Sequence, residues 1–436
     1  MSTTLFQQEG FRISAAQGDS IGGNIYHQRR QLANGELLLL TNASMTSASS
    51  GKINMLGHDV LEMDMHAGKI SRYHYTQNNN AVQFEVTIPP AGSLMLFIAD
   101  KKLPGYQSAP QANEWATAKA SATTVSRPAD NTLTIDFCDL YLHQPDTGYT
   151  HLHVGQASNT AFKHHGFTDG VGNPWNNRTQ FKDAIVRRDT FSTGTGYTAV
   201  YHFQLKDGVD FRDFKAVIEQ PDLWHEVKMN GVTIKNEPGK WWLDRSFGVY
   251  RIGNYLKAGD NELAVTVAPM RVYAEIEPVY ILGDFHLEAA VQGWRIVPPQ
   301  PLQTGYWNKQ GLPLYSQGIA YTKSFTVTDP GKSYAVALGK WQGTVAAVKV
   351  NDVFAGIITS EPNRLDIGQF IKKGNNKVEV TVIGSLKNLL GPFYNKPVPG
   401  LVDPGKWYNI KTQPSGSDYD LYDYGLAEDY EIQVVR

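Results

Sequence analysis

Apolar and polar residues alternate along most of this chain, and the dominant period is two. Val82, Phe84, Val86 and Ile88 are separated by Gln83, Glu85 and Thr87 before Pro89-Pro90-Ala91-Gly92 turns the chain. That is the signature of a half-buried strand. Leu94 to Ile98 is apolar throughout, as in a strand covered on both faces. Strands of the same length are predicted at Glu36–Leu40, Thr132–Phe137, Thr198–Leu205, Glu226–Val232, Leu263–Val267, Tyr334–Leu338, Ala346–Val350 and Val378–Val382, with Gly, Asn, Asp and Pro turn signals between them. No stretch longer than about three turns keeps a helical period. The expected fold class is all-β, built as tandem antiparallel β-sandwiches.

Two polar, Pro/Gly-containing stretches, Lys101–Asn113 and Val297–Pro301, read as linkers. They suggest consecutive segments at 1–105, 106–293 and 294–436. The last two contain diverged copies of one pattern. Val227-Lys228-Met229-Asn230-Gly231 corresponds to Val348-Lys349-Val350-Asn351-Asp352, each a strand ending in a hairpin turn. Downstream, residues 252–267 align with 367–382, and eight of those sixteen positions are identical. Upstream, Phe203-Gln204-Leu205 matches Phe325-Thr326-Val327 in the same order.

The bulk composition narrows the partners. The chain has 436 residues, 41% hydrophobic and 19% charged, with a formal net charge of -2. No Lys/Arg block stands out, so nucleic acid and anionic membrane are not expected partners. The longest apolar runs are strand-sized and too short to span a bilayer as helices. Cys138 is the single cysteine, which rules out an intramolecular disulfide and a multi-cysteine metal site. Met1 to Leu5 is not followed by the basic and apolar run of an export signal, so none is expected there. Aromatics reach 11%, with 9 Trp and 22 Tyr, a supply that suits strands and also suits the flat faces of sugar rings.

The repeat, with its V-x-x-N-G turn and I-x-x-x-L-K-x-G-x-N-x-L-x-V-x-V strand, resembles the galactose-binding-like jelly-roll domains of large glycoside hydrolases. These are found in family 2 enzymes and in the α-L-rhamnosidase relatives of family 106. Gly311–Gly318, Tyr321 and Phe325 resemble the opening strand of the same domains. In segment one, Tyr26–Arg30, Asn34-Gly35-Glu36, Leu40-Thr41-Asn42 and Pro90–Leu94 resemble the small sandwich that follows the catalytic barrel. Asn131–Asp139, His165-Gly166-Phe167, Asn173-Pro174-Trp175 and Asn388–Pro392 share the look of these bacterial proteins. The resemblance implies two galactose-binding-like jelly rolls, a polysaccharide or oligosaccharide partner and an extracellular or periplasmic location. It also implies a catalytic (β/α)₈ barrel upstream, since this chain shows no alternating strand–helix pattern of its own.

Two constellations are candidates for carbohydrate binding. The loop Lys163–Gln180 gathers His164, His165, Asp169, Asn173, Trp175, Asn176, Asn177 and Arg178, an aromatic platform with hydroxyl-binding groups. The bland alternative is a long loop covering a sandwich edge. The first copy also carries six extra residues around Trp241, Trp242 and Asp244, where strand alternation sends only one tryptophan outward. Glu275 and Glu277 are the best local carboxylate pair for glycosidase chemistry, yet an i, i+2 pair reads first as a solvated edge. Asp136 and Asp139 read as capping or turn residues. No cofactor is expected. Asp418, Asp420 and Asp423 leave a structural calcium open, although they lack the distal bidentate Glu of a full loop and fit a solvated final strand. His27, His74, His153, His164, His165 and His202 form no metal array, and no nucleophile elbow exists.

The sequence therefore points to a non-catalytic carbohydrate-binding and scaffolding region of a glycoside hydrolase acting on plant or microbial polysaccharide. One rival is a stand-alone β-sandwich glycosidase or lyase using Tyr73-His74-Tyr75. The other is a structural or protein-interaction module.

Overall fold

The computed structural model describes residues 4–8, 10–15, 25–44, 46–65, 68–108, 115–144, 146–167, 191–394, 410 and 412–435. Strands dominate it, arranged in antiparallel sheets that pack face to face as tandem β-sandwiches. In the first sandwich one sheet runs Thr4–Gln8, Phe11–Ala15, Ser49–Leu56, Ala81–Ile88, Thr76–Asn78. The other runs Ile25–Leu32, Gly35–Asn42, Ser93–Ala99, Asp59–Asp64, Lys69–Arg72. The period of two turns Leu38, Leu40, Ile53, Met55, Phe84, Val86, Leu96 and Ile98 into one core. Arg72 then fastens the following stretch. Its guanidinium meets the buried Asp59 carboxylate at 3.0 Å and donates to the carbonyls of Leu103 and Tyr106.

The two copies share one strand order. In the first, Val232–Ile234, Glu226–Met229, Gly259–Val267, Gly196–Leu205 and Phe137–His143 lie side by side. In the second the order is Val353–Ile358, Val345–Val350, Gly374–Ile383, Ile319–Val327 and Thr124–Ser126. The opposing sheets also correspond. Asp244–Arg251, Lys215–Glu219, Val279–Gly283 and Asn131–Ile135 match Arg364–Asp366, Tyr334–Ala337, Glu431–Val435 and Trp115–Thr117.

This correspondence nests one copy inside the other, where the sequence suggests consecutive segments. Trp115–Thr117 and Thr124–Ser126 precede the first copy in the chain. They nevertheless pair with Glu431–Val435 and Ile319–Val327 of the second. Each supplies a neighbour to a strand that would otherwise expose an edge. At the seam, the Asn131 side chain donates to the carbonyls of Phe285 and Gly311, at 2.9 and 3.2 Å. Gly311 has φ +78, and a Cβ there would lie 2.6 Å from His286, so the two copies approach too closely for any side chain.

An excursion from the second copy returns over the first. Leu389 packs with Val217, Val249, Tyr280 and Leu282, while Phe393 and Tyr419 join the main core of the first copy. The Tyr394 hydroxyl donates to both oxygens of buried Asp136, at 3.0 and 2.8 Å.

The repeated residues have a shared structural duty. Asn261 and Asn376 are 2% and 1% exposed. The Asn261 amide donates to the carbonyls of Lys257 and Gly259, at 2.8 and 3.0 Å, and its oxygen accepts from Lys257 N and from the Asn230 amide. Asn376 repeats this with Lys372, Gly374 and Asn351. Asn230 and Asn351 both sit at positive φ, 48° and 52°, where Asn is among the residues best able to close a turn. Replacing Asn376 by Ala leaves several buried backbone groups unpaired. The expected loss is about 2–4 kcal/mol of stability, read as a lowered urea midpoint. Asn261→Ala should cost a similar amount.

Candidate functional site

The first copy opens into a cleft of about 310 Å³ lined by Glu219, Gln220, Leu223, Trp224, Tyr273, Glu275 and Glu277. Its floor reaches Tyr197, Tyr201, Ile218 and Val265, in the mouth between the two sheets. One wall begins where the strand Lys215–Glu219 ends. Gln220 turns the chain in the left-handed region at φ 51, and Pro221–Leu223 forms a single 3₁₀ turn. A Cβ on Gly248 would meet Pro221 at 2.7 Å, so this turn lies flat on the neighbouring strand. Trp224 follows, half-buried, with its indole N–H donating to the Glu219 carbonyl at 2.8 Å.

The other wall is the irregular stretch between Gly259–Val267 and Val279–Gly283. Two buried tyrosines of Gly196–Leu205 hold it from below. Tyr197 donates to the Ala274 carbonyl at 2.9 Å and Tyr201 to the Glu277 carbonyl at 2.7 Å. The alternating strand thus points two hydroxyls at one backbone segment and fixes the glutamates that flank Ile276.

Glu275 and Glu277 share a hydrogen bond between their carboxyls. Burial pushes Glu277 up to about 8, helped by that bond and by the Glu275 charge. Burial also raises Glu275, against the bond to Glu277. Glu219 is pushed up to about 7 by burial and then by the charges of Glu277 and Asp244. Among the described residues, none of the three glutamates forms a salt bridge with a cation. The solvated-edge reading of Glu275 and Glu277 is therefore corrected. The segment is not a strand, and its carboxyls turn into the cleft because the backbone is anchored to Tyr197 and Tyr201.

The residues singled out from sequence are spread across the molecule. Asp169, Asn173, Trp175, Asn176, Asn177 and Arg178 lie outside the described residues. His164 and His165 end the helix Val154–His164 and are engaged with backbone. The His164 ring lies 3.2 Å from the His143 carbonyl, and the His165 ring reaches the Ala161 carbonyl and accepts from Gly196 N–H. Trp241 is 55% exposed. Trp242 is partly buried, its ring centroid 5.2 Å from that of Tyr280. Asp244 caps its own turn through Ser246, yet its charge reaches Glu219. The Tyr73 and Tyr75 hydroxyls donate to backbone carbonyls of Glu85 and His58, and His74 is exposed, so this trio does not converge. Asp420 faces Lys387 and Asp423 faces Lys309, and no group of three metal-binding side chains gathers among the described residues. Sequence reasoning missed Glu219, Leu223, Trp224 and Tyr273. The compact Glu-Gln-Pro-Asp-Leu-Trp run at 219–224 was the available signal, since a Pro turn set between a carboxylate and a tryptophan follows neither strand nor helix period.

No protein-family profile matches the sequence, and no curated protein matches it. Among solved structures, the chain is similar to the rhamnosidase from Novosphingobium sp. PP1Y at 14% identity and a TM-score of 0.43, covering 98% of this chain and 25% of that one. The α-L-rhamnosidase of Streptomyces avermitilis follows at 10% identity and 0.27, covering 96% and 41%. The β-D-mannosidase of Dictyoglomus thermophilum stands at 10% and 0.25, covering 58% and 31%. These neighbours are glycoside hydrolases, and the chain spans a quarter of the length of the first. No helix among the described residues is long and apolar enough to cross a membrane.

The carboxyl cluster sets a pH dependence. Unfolded glutamates release their protons near pH 4.5, whereas folded Glu277 holds its proton to about 8. The folded chain then binds more protons, so this contribution is fully present below about 4.5 and is lost as pH rises to about 8. Thermal unfolding across that window should show the fall. Glu277→Gln should flatten it, recovering on the order of 1–3 kcal/mol at the alkaline end.

Proposed function

We propose that this chain is a non-catalytic carbohydrate-binding and scaffolding region of a glycoside hydrolase, acting in the extracellular or periplasmic space beside a catalytic barrel. The observation that carries this reading is the cleft itself. Trp224 and Tyr273 offer flat faces for the C–H surface of a sugar ring, and three glutamates offer acceptors for its hydroxyls. Its volume, about 310 Å³, is at the small end of ligand pockets and suits one or two sugar units. The motif resemblance of the repeat supports the same class. Holding polysaccharide close to a tethered active site raises its effective concentration without any chemistry in this region.

The carboxyl geometry argues against hydrolysis by the Glu275–Glu277 pair. Two carboxyls bracketing a glycosidic bond stand about 5–9.5 Å apart, leaving room for the anomeric centre or a water. Here the pair is in direct hydrogen-bond contact. The test is titration of the purified chain against neutral, acidic and amino-sugar oligosaccharides, followed by tryptophan fluorescence and calorimetry. At least one should bind saturably without being cleaved. Trp224→Ala should weaken binding about tenfold, the size of one lost ring stack. Trp241→Ala, at a residue that is not among those lining the cleft, should leave it unchanged. Turnover of any substrate, or binding indifferent to Trp224 and lost with Trp241, would overturn the proposal.

A further inference from the structure

The cleft is more acidic than a neutral sugar needs. A hydroxyl is satisfied by one acceptor, and a neutral ligand brings nothing to offset the burial of charge. Glu277 is half-buried, lines the cleft, and has another carboxyl as its side-chain partner. Glu219 closes the opposite wall and lies within electrostatic reach of Glu277. The surrounding titratable groups do not relieve this. Asp244, from the adjoining strand, adds negative charge. Tyr197 and Tyr201 spend their hydroxyls on backbone carbonyls, and Tyr280 sits in the same negative field. Without a ligand, the cluster lowers its charge by retaining protons. A cation in the cleft would take over that role, and the faces of Trp224 and Tyr273 are electron-rich surfaces that attract one.

We propose that the preferred ligand of this cleft is a sugar unit bearing a free amine, of the glucosamine type, whose ammonium group lies among Glu219, Glu275 and Glu277. This rests on the carbohydrate-binding reading above. The ring stacks on the aromatic wall and its hydroxyls use the remaining carboxyl oxygens. An N-acetylated unit brings bulk without charge, and a uronic acid brings the wrong charge. The ammonium is what distinguishes this cleft from a generic sugar platform.

The measurement is calorimetry of the full chain at pH 7 with three oligosaccharide series of equal length: glucosamine oligomers, their N-acetylated counterparts and cello-oligosaccharides. Spermidine serves as a cation without a sugar ring. The glucosamine series should bind at least ten times more tightly than either neutral series and than spermidine. Glu277→Gln and Glu219→Gln should each remove most of that preference, bringing the affinity ratio between the glucosamine series and the neutral series to within about threefold. Circular dichroism on the same samples confirms that the variants are folded. Equal or tighter binding of the neutral series would overturn the amine preference and leave the carbohydrate reading standing. Spermidine binding as tightly as the glucosamine series would also overturn it, showing a charge trap and not a sugar site. Binding of none of the three series, and of nothing in the wider panel, would remove both.

Discussion

Each copy of the repeated sandwich hangs on one buried asparagine. Asn261 and Asn376 stand near the start of a long central strand of their copy, at the point where a turn must enter the core. Such a turn carries backbone groups that cannot pair in a ladder and cannot reach water. A single amide answers them, donating twice to carbonyls behind it and accepting from a backbone N–H and from the asparagine of the neighbouring hairpin. No apolar residue of similar size could do this, and a charged one would bring a desolvation cost. The strand that follows is then held in register for nine or ten residues, and the rest of the sheet assembles on it. The Lys-x-Gly-x-Asn repeat is thus the trace of a hydrogen-bonding requirement.

The second constraint is mutual covering. The first copy is enclosed in the chain by two parts of the second, and an excursion of the second closes over it. Leu389, Phe393 and Tyr419 bury surface that belongs to the first copy. Burial on this scale makes the two copies parts of one packed unit and gives the cleft a stiff frame. The cleft lies in the first copy, where the turn at 220–224 faces the stretch at 273–278.

Much of the fold was legible because it rests on local rules. Alternation located the strands, and the Asn-Gly and Asn-Asp turns located two hairpins, at 230–231 and 351–352. The nesting was not legible. Trp115–Thr117 and Thr124–Ser126 are three residues each, too short for a periodic signal, and their partners lie about two hundred residues or more away. The predicted strand Thr132–Phe137 also breaks at Asp136, which leaves the ladder to meet Tyr394. The cleft was half legible. Glu275 and Glu277 stood out as a pair, but their direction depends on Tyr197 and Tyr201, some seventy-five residues earlier. Glu219 and Trp224 had no sequence link to them at all.

Two acids whose protons are held by their surroundings, Asp136 and Glu277, are answered by the chain in different ways. Asp136 is pushed up to about 7, chiefly by burial, yet the fold provides for it: the Tyr394 hydroxyl donates to both its oxygens, and Tyr419 supports Tyr394 in turn. That acid is answered within the chain, and its role is to bind the excursion to the first copy. Glu277 is raised further, and the group nearest to answering it is another acid. A fold gains nothing from placing two carboxyls together at the wall of an open cleft, since each raises the cost of ionising the other. On the proposed reading, the group that answers it is carried by a ligand that enters the cleft. Burial alone therefore does not distinguish the two acids; among the described residues, what sets Glu277 apart from Asp136 is that its side-chain partner is another acid, at the wall of an open cleft.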